Sequence, residues 1–128
     1  MTDVLLDTRV YVDAYIGHAG ASLLFAEILR GARRAFYSPV TVFELWLKPM
    51  SRDEESRHRT LLAACAEAPF DSTAARVMAD WLRVQPRSGR RRLLGDAMMA
   101  ATAASLDATL ITRNPRDFTR FYTDVRSY

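Results

Sequence analysis

The chain has 128 residues, of which 49% are hydrophobic and 26% charged. This balance is typical of one globular domain and excludes disordered, collagenous and coiled-coil proteins. The formal net charge is +3, and every basic residue except Lys48 is an Arg. Because a guanidinium group binds phosphate with two parallel hydrogen bonds, this bias suits a nucleic-acid partner. Genomic base composition explains the bias equally well.

Cysteine and histidine offer few sites. Cys65 is the sole cysteine, so no disulfide framework and no cysteine-based metal site are expected, and its apolar neighbours predict a buried structural thiol. His18 and His58 lack the helical spacing of a metal-binding pair. No apolar run approaches the roughly 20 residues that span a bilayer, and a signal peptide is not evident. We therefore expect a cytoplasmic protein.

Apolar periodicity and turn residues predict alternating strands and helices. In chain order these are a strand over 4–6, helices over 10–16 and 21–30, a strand over 35–37, helices over 40–48, 53–67, 73–84 and 97–106, and a strand over 109–112. Ser38 is expected to cap the helix that follows it, with Pro39 in its first turn. Between the last two helices, residues 85–92 form the most basic and loop-like stretch of the chain. The alternation predicts a single α/β domain, residues 1–128, around a parallel sheet.

Acidic and amide residues follow the predicted strands, where parallel sheets place their ligand sites. Asp7 follows the first strand, Glu44 lies in the helix after the second, and Asn114 and Asp117 follow the third. Asp96 opens the Ala-rich helix. Helix capping would account for Asp7 and Asp96, and simple exposure for Asp117. Glu44 is harder to explain, because its apolar neighbours predict burial, which is costly for an unpaired carboxylate.

Carboxylates gathered in one cleft repel one another unless a cation neutralises them. Because no His or Cys joins the set, Mg²⁺ or Mn²⁺ is favoured over Zn²⁺. Such ions activate water and stabilise charge on a phosphoryl oxygen.

Four blocks of the sequence resemble the PIN-domain ribonucleases, particularly the VapC toxins of type II (VapBC) toxin–antitoxin systems. The blocks are residues 4–8, 38–45, 95–103 and 110–118, in the order of the family and over nearly the whole chain. The resemblance implies a three-layer α/β/α PIN domain with a central parallel sheet. It also implies an endoribonuclease that uses Mg²⁺ or Mn²⁺ and is held inactive by a VapB-type antitoxin. A homodimer and a toxin–antitoxin hetero-oligomer are expected, with no membrane contact and no DNA-binding module in this chain.

The resemblance, together with the placement of polar and basic residues in the chain, gives individual residues expected roles. Asp7, Asp96 and Glu44 match the core acidic positions of the family and are expected to hold the metal, with Asn114 and Asp117 completing the catalytic set. Thr8 and Thr112 are expected to hydrogen-bond the metal ligands. The basic residues expected to bind RNA are Arg9, Arg87, Arg90, Arg91, Arg92 and Arg113. For the basic stretch before Asp96, a solvated surface charge run is an equally good interpretation.

Two positions depart from the family pattern. Arg9 stands where the family usually has Asn, and we expect it either to reach a phosphate or to pair with Asp7. Asn114 in place of Asp removes a negative charge, which favours a single tightly bound ion. The alternative function is an impaired PIN domain that binds RNA or a protein without cutting, for which Arg9 is the best support. A phosphotransfer receiver ranks lower, because Asp7 lacks an adjacent acidic partner.

Overall fold

The structure, a computed structural model, describes residues 3–128 and is built around a five-stranded parallel sheet. The strand order is β3-β2-β1-β4-β5. The strands are β1 (Val4–Leu6), β2 (Ala35–Tyr37), β3 (Ala66–Glu67), β4 (Thr109–Ile111) and β5 (Val125–Arg126). In the centre, Leu5 of β1 stands in register with Phe36 of β2 and Leu110 of β4. The parallel sheet predicted from the alternation of elements is confirmed.

Six helices connect the strands. They are α1 (Thr8–Tyr15), α2 (Ala19–Leu29), α3 (Pro39–Leu47), α4 (Arg52–Ala63), α5 (Ser72–Arg83) and α6 (Arg87–Leu106). A short 3₁₀ turn, Pro115–Asp117, follows β4. As predicted, Ser38 caps α3: its Oγ accepts a hydrogen bond from the Val40 N–H at 3.1 Å, and Pro39 occupies the first turn.

Alternate residues of each central strand bury their side chains on opposite faces of the sheet. Val4 and Leu6 belong to a core with α1 to α4, and Leu5 belongs to a core with α5 and α6. Both faces of the sheet are therefore covered, which explains why the strands read as continuous apolar runs. The result is the three-layer α/β/α architecture.

Three sequence predictions were wrong in detail. The helix predicted over 53–67 ends at Ala63, and β3 follows it; β5 was also missed. These two-residue strands lie at the sheet edges and are too short to show a periodicity. Residues 87–92, predicted as a loop, form the first turns of α6, because Arg has a high helix propensity that outweighs the loop signal of Gly89 and Ser88.

Cys65 was predicted to be buried, but its side chain is only partly so. Its sulfur accepts a hydrogen bond from the Tyr11 hydroxyl at 3.6 Å. Burial also raises the pKa of the Cys65 thiol above its ordinary value. The thiol is thus protonated and tied into the core near neutral pH.

Across residues 3–128, none of the helices combines the length and the apolar character that crossing a bilayer requires.

The chain passes closely over the start of α2 at Tyr128. A Cβ atom added at Gly20 would lie 2.8 Å from the backbone carbon of Tyr128. The ring of His18 also meets the ring of Tyr128 edge-on, with centroids 5.5 Å apart. A side chain at position 20 would therefore push Tyr128 away from α2.

We expect Gly20→Ala to lower the free energy of unfolding by about 1–3 kcal/mol, because the added methyl group overpacks against backbone. Gly89→Ala is the matched control. Open space surrounds Gly89, so this change should be neutral or stabilising by up to about 1 kcal/mol. Urea denaturation of the two variants measures the difference, and equal stabilities would contradict the close approach.

Candidate active site

Asp7 lies at the carboxyl end of the central strand β1, and its carboxylate caps α1. Its Oδ1 accepts a hydrogen bond from the Thr8 N–H, and its Oδ2 accepts one from the Thr112 hydroxyl, both at 2.8 Å. Burial, with help from the charges of Glu44 and Asp117, raises the pKa of Asp7 above its ordinary value, although the two hydrogen bonds oppose the shift. The carboxylate is held in one orientation at the end of the strand.

Glu44 approaches Asp7 from α3. Its Oε1 accepts a hydrogen bond from the Thr8 hydroxyl at 2.8 Å, and that hydroxyl lies 3.0 Å from the hydroxyl of Thr41. The expectation that Glu44 is buried was wrong, since its residue is exposed. Its apolar neighbour Leu45 points into the core instead, because adjacent residues of a helix face different directions. Glu44 thus faces the cleft without a burial penalty.

Asp96 does not begin a helix as predicted, because α6 starts at Arg87 and places Asp96 in its interior. Helix capping therefore cannot account for this carboxylate. No side chain or backbone group within residues 3–128 donates a hydrogen bond to it. Burial raises the pKa of Asp96 to about 6, and the charges of Asp117, Asp7 and Glu44 add to this shift. The charge of Arg120, which sequence reasoning also missed, opposes the shift without cancelling it.

Asn114 and Asp117 lie beyond β4 in the 3₁₀ region. The Asn114 N–H donates to the Thr112 hydroxyl oxygen at 3.2 Å, so Thr112 connects this segment to Asp7. The Asn114 side chain forms no cap for the 3₁₀ turn. Asp117 is exposed, yet its charge raises the pKa values of both Asp7 and Asp96. The charges of Glu44 and Asp117 therefore act on both Asp7 and Asp96.

Asp7, Glu44 and Asp96 line one cleft of about 370 Å³ at the carboxyl edge of the sheet. Thr8 and Arg9 also line it. Sequence reasoning missed three further polar residues on its wall, namely Lys48, Glu54 and His58. His58 is buried and its Nε2 lies 3.2 Å from Glu54 Oε2. The i,i+4 spacing on α4 was the available signal.

The donor set of this cleft suits a hard divalent cation. Asp96 is a partly buried carboxylate without hydrogen-bond donors among residues 3–128, and three acids raise its pKa against the opposing charge of Arg120. A bound cation would relieve this repulsion. Within the described range 3–128, however, no three acidic, His or Cys side chains are close enough to form a metal-binding group by themselves. This arrangement fits Mg²⁺, which commonly takes one or two carboxylates and keeps several waters.

Arg9 does not pair with Asp7. Its Nε donates to Asp13 Oδ1 at 3.2 Å, and Arg113 Nη1 approaches the same oxygen at 3.4 Å. The Tyr128 hydroxyl donates to Asp13 Oδ2 at 2.5 Å. Burial alone would raise the pKa of Asp13, but these donors and charges outweigh it and lower the pKa. Sequence reasoning missed Asp13, although it stands four residues after Arg9.

The remaining arginines expected to bind RNA lie on the first turns of α6 rather than on a loop. Arg90 is engaged within the protein, where it donates to the carbonyl oxygens of Gln85 at 3.2 Å and Arg83 at 3.0 Å. Arg87, Arg91 and Arg92 are exposed. Arg92 is four residues before Asp96, so the two share one face of the helix. Of Arg87, Arg90, Arg91 and Arg92, Arg92 is thus the one that shares a helix face with Asp96.

Comparison with known proteins shows the family to which the chain belongs. The model of the PIN domain family matches residues 4–123. The chain belongs to the PIN-domain family. Within it, the chain is 30% identical over 117 residues to Ribonuclease VapC19 of Mycobacterium tuberculosis, covering 91% of this chain and 93% of that protein. This identity places it with the VapC proteins.

Solved structures show the same fold. A chain of the VapBC2 structure from Rickettsia felis, bound to a promoter DNA fragment, superposes with a TM-score of 0.72 at 19% identity, covering 98% of this chain and 97% of that one. A chain of VapBC-5 from Mycobacterium tuberculosis gives 0.64 at 26% identity, covering 99% and 98%. The predicted PIN fold is confirmed.

The raised pKa of Asp96 predicts a pH-dependent stability in metal-free protein. The ordinary pKa is 3.8 and the folded value about 6, so between these values the folded state binds more protons than the unfolded state. Stability therefore falls as pH rises from about 4 to about 6. Asp96→Asn removes this penalty and, with a discount for partial exposure, should stabilise the protein at pH 7 by about 1–2 kcal/mol.

Urea denaturation in chelator between pH 4.5 and 7.5 measures this effect. Asp80→Asn is the control, because Asp80 is exposed on α5 and pairs with Arg83 there. If the free energy of unfolding changed with pH in the same way in wild type and Asp96→Asn, the raised pKa of Asp96 would be ruled out as the cause of the pH dependence.

Proposed function

We propose that this VapC-family protein is a Mg²⁺- or Mn²⁺-dependent endoribonuclease, the toxin of a type II toxin–antitoxin system. The observation that carries the proposal is the gathering of Asp7, Glu44 and Asp96 around one cleft. There the partly buried Asp96 carboxylate has no hydrogen-bond donor among residues 3–128, and the repulsion of Asp117, Asp7 and Glu44 outweighs the attraction of Arg120. Such a site is poor for an anionic substrate alone and well suited to a cation. The name of the VapC19 relative agrees with nuclease activity.

The position of each residue in the cleft indicates its proposed role. Asp7 and Asp96 would hold the ion, and Thr112 and Thr8 fix the orientation of Asp7 through the hydrogen bonds at its two oxygens. When bound, the ion supplies an acidified water and stabilises negative charge on the phosphodiester.

Glu44 uses Oε1 to accept from Thr8, and within residues 3–128 no group donates to Oε2. This free oxygen can accept a proton from the attacking water or orient that water. Asn114 and Asp117, at the edge of the same acidic environment, would orient water in the outer shell of the site.

Arg9 does not favour the alternative of an impaired domain. Its guanidinium turns to Asp13 rather than neutralising Asp7, so the metal-binding carboxylate keeps its charge. The departure from the usual Asn at this position therefore leaves the acidic set intact.

The partner that we propose is a VapB-type antitoxin. The structural neighbours from Rickettsia felis and Mycobacterium tuberculosis are VapBC proteins, and a second copy of the chain is expected in the assembly. RNA, possessing the phosphodiester that the cleft would act on, is the proposed substrate.

We expect antitoxin-free protein to cut structured RNA such as tRNA with Mg²⁺ or Mn²⁺ and not with chelator. Asp7→Asn and Asp96→Asn should each reduce the cleavage rate at least about a hundredfold, since each removes a metal ligand. Gel analysis of labelled RNA measures the rate. Asp80→Asn, which removes an exposed carboxylate outside the cleft, should cut at the wild-type rate. Metal-independent cutting, or equal rates for all variants, would contradict the proposal.

A further inference from the structure

Asp13 is a buried acid with an unusual set of partners. Its side chain is 0% exposed, and one oxygen receives two guanidinium groups, from Arg9 at 3.2 Å and Arg113 at 3.4 Å. The other oxygen accepts from the Tyr128 hydroxyl. A single hydrogen-bonded cation would be enough to compensate this carboxylate. The second arginine therefore calls for an explanation other than neutralisation.

The two arginines flank the metal-binding carboxylate Asp7 along the chain. Arg9 follows Thr8, whose N–H donates to Asp7, and it lines the cleft itself. Arg113 follows Thr112, whose hydroxyl donates to Asp7. Asp13 thus brings together cations that stand beside the two residues orienting Asp7.

Both guanidinium groups remain available to a ligand. The side chains of Arg9 and Arg113 are 53% and 43% exposed. Arg9 uses Nε for Asp13 and Arg113 uses Nη1, so each keeps other N–H donors of its fork. With Asp13 included, the cluster has a net charge of +1 beside an acidic cleft. That combination suits the phosphates next to the one that the metal would engage.

We propose that Asp13 is a positioning residue that holds Arg9 and Arg113 as a two-armed clamp for the phosphate backbone of a single RNA strand. The proposal rests on the function proposed above and names how the same site holds its substrate. Asp13 itself touches no RNA, because it is fully buried. Holding two long side chains in place before RNA arrives lowers the conformational entropy lost on binding.

RNA binding without cleavage tests the clamp. The probe is a fluorescein-labelled single-stranded oligoribonucleotide of about 16 nucleotides, a length that covers a single-strand site, titrated with protein in chelator. Arg9→Gln and Arg113→Gln should each weaken binding about three- to tenfold, and each should lower the slope of log K against log salt by about 0.7. Fluorescence anisotropy measures both quantities.

Arg33→Gln is the matched control. Arg33 also donates its Nε to a carboxylate, that of Glu27, and is 42% exposed. Arg33 precedes β2, however, and with Glu27 it lines a separate pocket rather than the cleft. Affinity and salt slope should equal those of wild type. If Arg33→Gln weakens binding as much as Arg9→Gln and Arg113→Gln do, the clamp is overturned in favour of general electrostatic attraction.

Asp13→Asn distinguishes positioning from neutralisation by the sign of its effect. Removing a negative charge without losing position would strengthen RNA binding, whereas losing the anchor should weaken it about threefold or more. In the Arg9→Gln, Arg113→Gln double variant, Asp13→Asn should have no further effect, because the side chains on which it acts are gone. Stronger binding, or an equal loss in both backgrounds, would overturn the positioning role.

A melting curve for each variant checks that it is folded. If Asp13→Asn does not fold, Arg9→Lys and Arg113→Lys decide. Lysine keeps the charge but lacks the planar fork, which must reach Asp13 and phosphate together. Lysine variants should therefore lose affinity like the glutamine variants, and wild-type affinity in them would overturn the clamp. Binding is measured in chelator, so the outcome for the clamp does not depend on whether the protein cleaves RNA with metal.

Discussion

The cleft is organised around carboxylates that are partly buried beside one another at the carboxyl edge of the sheet. Asp7 and Asp96 both have raised pKa values, with burial the largest cause and neighbouring acids adding to it. In Asp7 the hydrogen bonds from Thr8 and Thr112 offset part of the strain. In Asp96 no such donor within residues 3–128 does so. Carboxylates with raised pKa values are common at functional sites, where they lower the stability of the folded protein.

A second polar cluster lies next to the first and has the opposite character. Asp13 is fully compensated by Arg9, Arg113 and Tyr128, and its pKa is lowered. The two clusters are connected by the backbone at Thr8–Arg9 and at Thr112–Arg113. Asp96 thus has no hydrogen-bond donor among residues 3–128, whereas Asp13 has two guanidinium groups and a hydroxyl. The contrast separates the proposed cation site from an anchor for cationic side chains.

The arginines illustrate how differently one residue type is used. Arg90 donates to carbonyl oxygens at the end of α5, and Arg33 pairs with Glu27 in a separate pocket. Arg9 and Arg113 meet on Asp13 beside it. A composition rich in Arg therefore predicts a phosphate ligand only at those few positions where the fold leaves the guanidinium partly free near the site.

The sequence alone determined the central strands, most helices and the acids at the strand ends. Apolar runs, Ser38-Pro39 and polar turns are local signals that need no tertiary information. It could not determine that Glu44 is exposed or that Asp96 lies inside α6, since both depend on which helix face meets a neighbour. Nor could it pair Asp13 with Arg113, 100 residues away along the chain. Only tertiary structure decided these points, because burial and charge pairing arise between segments that the fold brings together.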